Sequence, residues 1–383
     1  MPLFLRSLQL RGLLSFGPDA EALQLEPLNI LIGPNACGKS NLIEAINILR
    51  ATSGESAPPI REGGGIGEFL WKGNPSAEGA SIVAECECHP QWLRHEIQFR
   101  EVGQRFELTL ETVSSDWPQW GGVRYRNDKG ESWVTEVQDM DKRRIVSMEP
   151  DESALTRFRD PDRTPELAFL GNSYRRVRLY REWHFGRSTP PRRPQQADLP
   201  NDFLLEDASN LSLILNLLEF KGQREPLIKF LQAIHPGFED LTIKVDGGTI
   251  QVYFREKGLR RPIPATRLSD GTIRFLCLAA VLLHPHPPPL ICLEEPEISL
   301  HPDVLKDFAD LLVDAATRTQ IILTTHSVEL VDAFTHRPSA VVVVEKEHGS
   351  TRFRRLSEED TRPWPDQSLG QLWQRGQFGG NRW

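Results

Sequence analysis

The 383-residue chain has little cysteine, five residues in all, and no apolar run near the roughly 20 residues that cross a bilayer. Cys277 and Cys292 fall in expected helix or strand and Cys37 in a glycine-bearing loop, so no disulfide framework is expected. Cys86, Cys88 and His89 are followed by no second ligand pair, and strand alternation accounts for their spacing better than a metal site. The first residues, Met1 to Leu14, lack the continuous apolar core and cleavage site of a signal peptide. No sustained heptad pattern is present, which argues against a long coiled-coil arm. The net charge of -8 argues against indiscriminate coating of nucleic acid. From these absences a cytoplasmic globular protein with no membrane partner is expected, long enough for two or three structural units.

What is present begins with Gly33-Pro34-Asn35-Ala36-Cys37-Gly38-Lys39-Ser40, which fits the phosphate-loop pattern G-x-x-x-x-G-K-[ST] without a gap. It follows the apolar stretch Leu28 to Ile32, which reads as a buried strand, and opens a helical pattern with Ile43, Ile46 and Leu49 on one face. Gly33 and Gly38 let the backbone amides turn toward phosphate, and the helix N-terminus adds partial positive charge there. In such a loop Lys39 reaches the β- and γ-phosphates and Ser40 ligates magnesium (Mg2+). Cys37 makes the loop a candidate for sensitivity to thiol reagents.

Segments with alternating character, Ser81 to Cys88, His95 to Arg100 and Arg105 to Thr112, predict an antiparallel sheet after a Gly-, Pro- and Ser-rich loop at 53–79. Helices are expected over Pro165 to Tyr174, Asn210 to Phe220 and Glu225 to Ile234, a strand near Val177 to Trp183, and a hairpin around Asp246-Gly247-Gly248. Near the end, Leu290 to Leu293 is an apolar strand running into Glu294-Glu295-Pro296-Glu297, and Gln320 to Thr324 one running into Thr325-His326-Ser327. Strands ending in polar residues with helices between them indicate an open parallel α/β sheet. The phosphate loop must meet these distant strands in space. The expected division is therefore a discontinuous nucleotide unit of residues 1–75 and 240–383, an antiparallel β lobe of 76–140, and a helical, Arg-rich insertion of 141–239.

Two adjacent carboxylates at the end of a buried strand beside a phosphate loop have a direct chemical reading. Glu294 holds Mg2+, directly or through water, and Glu295 orients or polarises the attacking water. His326, at the end of the following strand, is placed to sense the γ-phosphate. Leu268-Ser269-Asp270-Gly271-Thr272 precedes the apolar helix Ile273 to Leu283, with Ser269 as an N-cap and Gly271 allowing close approach of a phosphate.

In that order these motifs resemble the ABC-type P-loop ATPase superfamily, in the branch with RecF, SMC and OLD-family proteins that is often catalogued as AAA_21-type AAA ATPases. The resemblance implies that Gly33 to Ser40 is Walker A and Leu268 to Thr272 the signature motif. It makes Leu290 to Glu295 Walker B, Glu297 to His301 the D-loop and His326 the switch histidine. The implied fold class is an α/β nucleotide-binding domain with an antiparallel β lobe and an inserted region. By resemblance the catalytic residues are Glu295, His326 and Lys39. Asn35, Gly38, Lys39, Ser40, Asn41, Ser269 and Gly271 bind ATP, and Ser40 and Glu294 bind the metal. Glu294 stands where an aspartate is commoner, Ser-Asp-Gly-Thr replaces Ser-Gly-Gly-Gln, and no Q-loop glutamine can be placed. One chain carries one Walker A and one signature, and the resemblance implies a homodimer with ATP sandwiched between protomers. Arg11 and Phe16, before Walker A, are candidates for base or ribose contact or for packing.

Seven arginines between Arg175 and Arg193 face a single acid, Glu182. That strip is either a footprint for a phosphate backbone or a solvated, ion-paired face. The first alternative predicts a switch ATPase acting on DNA in repair or anti-phage defence. The second predicts a regulatory ATPase that docks a separate effector protein, with Trp364, Trp373 and Trp383 of the tail as anchors. A transporter ATPase is disfavoured. Asp160-Pro161-Asp162 and Glu219-Phe220-Lys221 match D-x-D and E-x-K only superficially, so no nuclease activity is expected of this chain alone.

Overall fold

The computed structural model describes residues 3–54, 58–73, 79–89, 91–116, 122–137, 139–181 and 183–379. Among them, three sheets form. The first is antiparallel and runs, in spatial order, Leu23–Gln24, Leu5–Arg11, Ala80–Cys88, Gln91–Val102, Arg105–Ser115, Gly122–Asp128, Glu131–Glu136 and Asp139–Val146. The strand Gln91–Val102 alternates buried Ile97 and Phe99 with half-buried Gln98 and exposed Arg100, because one face covers a core and the other meets solvent. The N-terminal strand Leu5–Arg11 belongs to this sheet, paired with Ala80–Cys88.

The second sheet runs Arg178–Tyr180, Leu290–Glu294, Gln320–Thr324, Leu28–Ile32, Val341–Glu347 and Ser350–Arg355. All neighbours are parallel except the final hairpin. Leu28–Ile32 is buried at every position, as a strand covered on both faces must be. Leu28, Ile30, Ile32, Ile291, Leu293, Ile321 and Leu323 share a core with the helices Leu211–Phe220, Asp270–Leu282 and Leu305–Ala315. Leu31, Cys292, Ile322, Val342 and Val344 face the other way, onto the helix Lys39–Ala51 and the antiparallel lobe. This is the open α/β sheet expected from the sequence.

The expected helices form at Pro165–Arg176, Leu211–Phe220 and Arg224–Ile234, and the expected hairpin pairs Phe238–Asp246 with Thr249–Glu256. The strand expected near Val177 to Trp183 is only Arg178–Tyr180, yet it extends the parallel sheet beside Leu290–Glu294. Phe16 is buried and stacks on Phe353 with centroids 5.7 Å apart, so it packs rather than facing a ligand. No helix among the described residues is long and apolar enough to cross a membrane.

Candidate nucleotide-binding site

The C-terminal edge of the parallel sheet gathers the polar ends of its strands, the usual place for a ligand crevice in such sheets. The loop after Leu28–Ile32 turns through Gly33 and Gly38, with φ of +155° and +113°. A Cβ at Gly33 would lie 2.2 Å from the Val344 carbonyl oxygen, and one at Gly38 would lie 2.3 Å from Thr351 Oγ1. Neither position admits a side chain. The helix Lys39–Ala51 follows directly and points its N-terminus into the loop.

Lys39 is buried, and its Nζ donates to the carbonyls of Gly33 at 2.8 Å and Pro34 at 2.9 Å. Burial lowers its pKa, against the opposing pull of Cys37, Glu295 and Glu294. Ser40 Oγ donates to Glu294 Oε1, so the two residues expected to hold a metal are in contact. Small oxygen donors from a hydroxyl and a carboxylate suit Mg2+, and with the amide-lined loop these residues fit a magnesium-bound triphosphate.

Glu295 has φ of +44°, unusual for a residue with a Cβ. Its amide donates to the carbonyl and hydroxyl of Thr324, at 3.1 and 3.2 Å, which holds this conformation. Glu295 Oε1 lies 3.6 Å from His326 Nε2. Burial lowers the His326 pKa, Lys39 lowers it further, and Glu295 opposes both. Glu297 accepts from Thr325 Oγ1 and from the His326 amide at 3.1 Å, while its Oε2 has no hydrogen-bond partner among the described residues; burial raises its pKa.

Ser269 caps the helix Asp270–Leu282, its Oγ accepting from the Thr272 amide at 3.1 Å. Ser269 and Asp270 are exposed, and a Cβ at Gly271 would meet the Ser299 carbonyl at 2.8 Å. The start of this helix thus packs directly on the segment following Glu295. A cavity of about 990 Å³ is lined by Ser40, Glu294 and Glu295 on one side and Asp270, Arg274 and Ser299 on the other. A second cavity, of about 630 Å³, lies on the Asn41 side of the loop and is lined by Ser15, Trp71, Lys346 and His348. Asn35 is exposed at the loop tip.

Sequence reasoning missed several residues here. Thr351, from the edge hairpin, donates to the Cys37 carbonyl at 2.7 Å, and Ser15 Oγ accepts from Asn41 Nδ2 at 2.8 Å. Arg274 is 8 % exposed and has no carboxylate partner among the described residues; it donates to the Trp183 carbonyl at 3.0 Å. Nothing local marks these roles, which depend on strand order.

The arginine strip does not form one surface. Arg192 is 3 % exposed and donates to the carbonyls of Phe185 and Leu268 and to Asp270. Arg181 pairs with Glu44 and Glu294. Arg175, Arg176, Arg187 and Arg193 remain exposed, while Glu182 lies outside the described residues. In the tail, Trp373 is 6 % exposed and Trp364 packs on the main core; Trp383 lies outside the described residues.

Solved structures share this architecture. A Smc head bound to the C-terminal winged-helix domain of ScpA aligns over 94% of this chain and 100% of its own, with 14% identity and a TM-score of 0.59. A Smc head with an extended coiled coil, bound to the C-terminal domain of ScpA derived from Pyrococcus furiosus, aligns over 94% and 98%, with 15% identity and a TM-score of 0.53. At these identities the likeness is one of fold. In sequence, 66 residues are 39% identical to the chromosome partition protein Smc of Cereibacter sphaeroides, covering 17% of this chain and 6% of that protein. Residues 28–332 match the AAA_21 family, described as "AAA domain, putative AbiEii toxin, Type IV TA system". With most of its length inside that match, and with the fold of a Smc head around its phosphate loop, the chain belongs to the AAA_21 family of P-loop ATPases.

Proposed function

We propose that the chain is an ATP-hydrolysing switch that closes as a homodimer around two nucleotides. The observation that carries this reading is the convergence of Lys39, Ser40, Glu294, Glu295 and His326 at one sheet edge, while Ser269 is exposed at the tip of a helix. On binding ATP, Lys39 exchanges the carbonyls of Gly33 and Pro34 for β- and γ-phosphate oxygens. Ser40 and Glu294 hold Mg2+, which supplies charge neutralisation to the phosphates. Glu295 positions the attacking water, and His326 supports it from the next strand. Ser269 and the Gly271 amide engage the nucleotide of the opposite protomer, so residues 1–75 and 240–383 supply both halves of the shared site. Hydrolysis removes the bridging phosphate and opens the dimer.

This reading predicts that Lys39→Ala abolishes ATP binding. Glu295→Gln keeps binding, loses turnover by about 10²–10⁴-fold, and accumulates as a dimer in light scattering with ATP. Equal turnover by wild type and Glu295→Gln would sink it.

For the output of the switch we propose DNA, gripped through the exposed Arg175, Arg176, Arg187 and Arg193. If all four meet phosphates, log affinity falls with log salt at a slope of about -0.9 per phosphate; a flat salt response removes the assignment. A second reading, control of a separate effector protein, is favoured by the Smc heads whose structures carry a bound domain of ScpA. A protein retained by the Glu295→Gln variant only with ATP, in nuclease-treated extract, distinguishes it from DNA binding.

A further inference from the structure

The strand Arg178–Tyr180 pairs in parallel with Leu290–Glu294, Tyr180 opposite Leu293. The next residue on each strand is therefore brought to the same edge: Arg181 beside Glu294. Arg181 Nε donates to Glu294 Oε2 at 3.0 Å, and its Nη1 donates to Glu44 Oε2. Glu44 stands four residues after Ser40 on the helix Lys39–Ala51, hence on the same face. Both oxygens of Glu294 are thus committed, one to a guanidinium and one to the Ser40 hydroxyl. A guanidinium has five donors and no acceptor, so Arg181 cannot ligate a metal ion. It contributes charge at the edge of the metal position.

We propose that Arg181 is a resident counter-cation that sets how strongly nucleotide binding depends on magnesium, a role that rests on reading Ser40 and Glu294 as the metal-holding pair. Glu44 and Glu294 are the carboxylates Arg181 neutralises, while Glu295 lies instead toward His326 and Lys39. With Arg181 in place, a metal-free triphosphate meets a partly neutralised site. Without it, the triphosphate meets two bare carboxylates, and a divalent ion meets two free ligands of opposite charge. Metal-free binding then weakens and metal-assisted binding strengthens.

The test is equilibrium binding of a fluorescent, non-hydrolysable ATP analogue to the full chain, in excess Mg2+ and in EDTA. The ratio of the two affinities is the readout. Loss of one unit charge beside a divalent ion shifts an affinity by roughly tenfold even at the dielectric of water, so Arg181→Gln should raise the ratio about tenfold or more. Arg181→Lys keeps the charge and should leave the ratio within about threefold of wild type. Glu44→Gln removes one of the neutralised acids and should move the ratio the opposite way, downward; it also serves as the second variant should Arg181→Gln fail to fold. A mere strut between strand and helix would give no sign reversal. If Arg181→Gln folds and weakens binding equally in both buffers, or if Glu44→Gln moves the ratio upward, the proposal is overturned. No nucleotide binding by wild type in either buffer would overturn the reading of the phosphate loop itself, and this proposal with it.

Discussion

At the scale of single residues, the site is a set of side chains whose ionisation is shaped by neighbours. Burial and Lys39 hold His326 below its ordinary value near 6.5, with Glu295 only partly opposing them. It is therefore neutral at neutral pH, and a depressed pKa means that its protonation is disfavoured by the folded state and destabilises it as pH falls. On the proposed role of His326 in ATP turnover, the acid limb it imposes should lie below pH 6.5, and His326→Gln should remove that limb from the pH–rate profile. A limb persisting unchanged in the variant would assign it elsewhere. The convergence of Lys39, Ser40, Glu294, Glu295 and His326 was legible because each sits in a contiguous motif at the end of a strand or the start of a helix. Arg181, Glu44, Thr351 and Ser15 were not, because their contacts arise from strand register and hairpin packing.

At the scale of elements, the proposed dimer gives the helix Asp270–Leu282 two jobs that pull on the same residue. Its positions from Ile273 to Leu282 are all buried, so it cannot move without disturbing the core. Ser269 caps it, and loss of such a cap costs about 1 kcal/mol. Ser269→Ala should therefore lower stability to chemical denaturation by about that amount and leave ATP binding by the same chain intact. Introduced into Glu295→Gln, it should prevent the ATP-trapped dimer from forming, because in the proposed dimer the cap oxygen is also the group offered to the partner's nucleotide. Dimer formation undiminished in the double variant would confine Ser269 to capping. The arginine strip is the counterexample in legibility. Spacing alone cannot separate a surface from a strut, and the structure turns Arg192 inward to hold the carbonyl of Leu268 and the carboxylate of Asp270.

At the scale of the whole molecule, the antiparallel lobe is fastened by buried polar groups as well as by apolar packing. His95 Nε2 lies 3.1 Å from Glu111 Oε1, and Glu111 also accepts from Ser153 Oγ at 2.6 Å and from the Ala154 amide at 2.8 Å. His95 Nδ1 lies 3.3 Å from the Tyr174 hydroxyl on the helix Pro165–Arg176. His95 and Glu111 are fully buried, and breaking a buried pair by removing one partner typically costs about 3–5 kcal/mol. Glu111→Ala should reduce stability by about that amount in urea unfolding, with an exposed control such as Glu101→Ala near zero. A loss under about 1 kcal/mol would mean that the pair does not fasten the lobe. The tail is similarly integrated: the Gly370 amide donates to Asp332 at 2.6 Å and the Leu369 amide to Thr335 at 3.0 Å. Trp364 and Trp373 therefore pack on the domain, the reading that composition alone left open beside an exposed anchor.

The sequence by itself determined the phosphate loop and the strand ends that converge on it, because a phosphate loop, a capped helix and a strand ending in two acids are local patterns with local physics. It also determined the parallel sheet, through apolar strands buried on both faces. Only the tertiary structure decided which cation stands beside Glu294, which arginines remain on the surface and how the tail lies. Those outcomes depend on which strands become neighbours and in what register, and pairings between residues hundreds of positions apart leave no periodic trace along the chain.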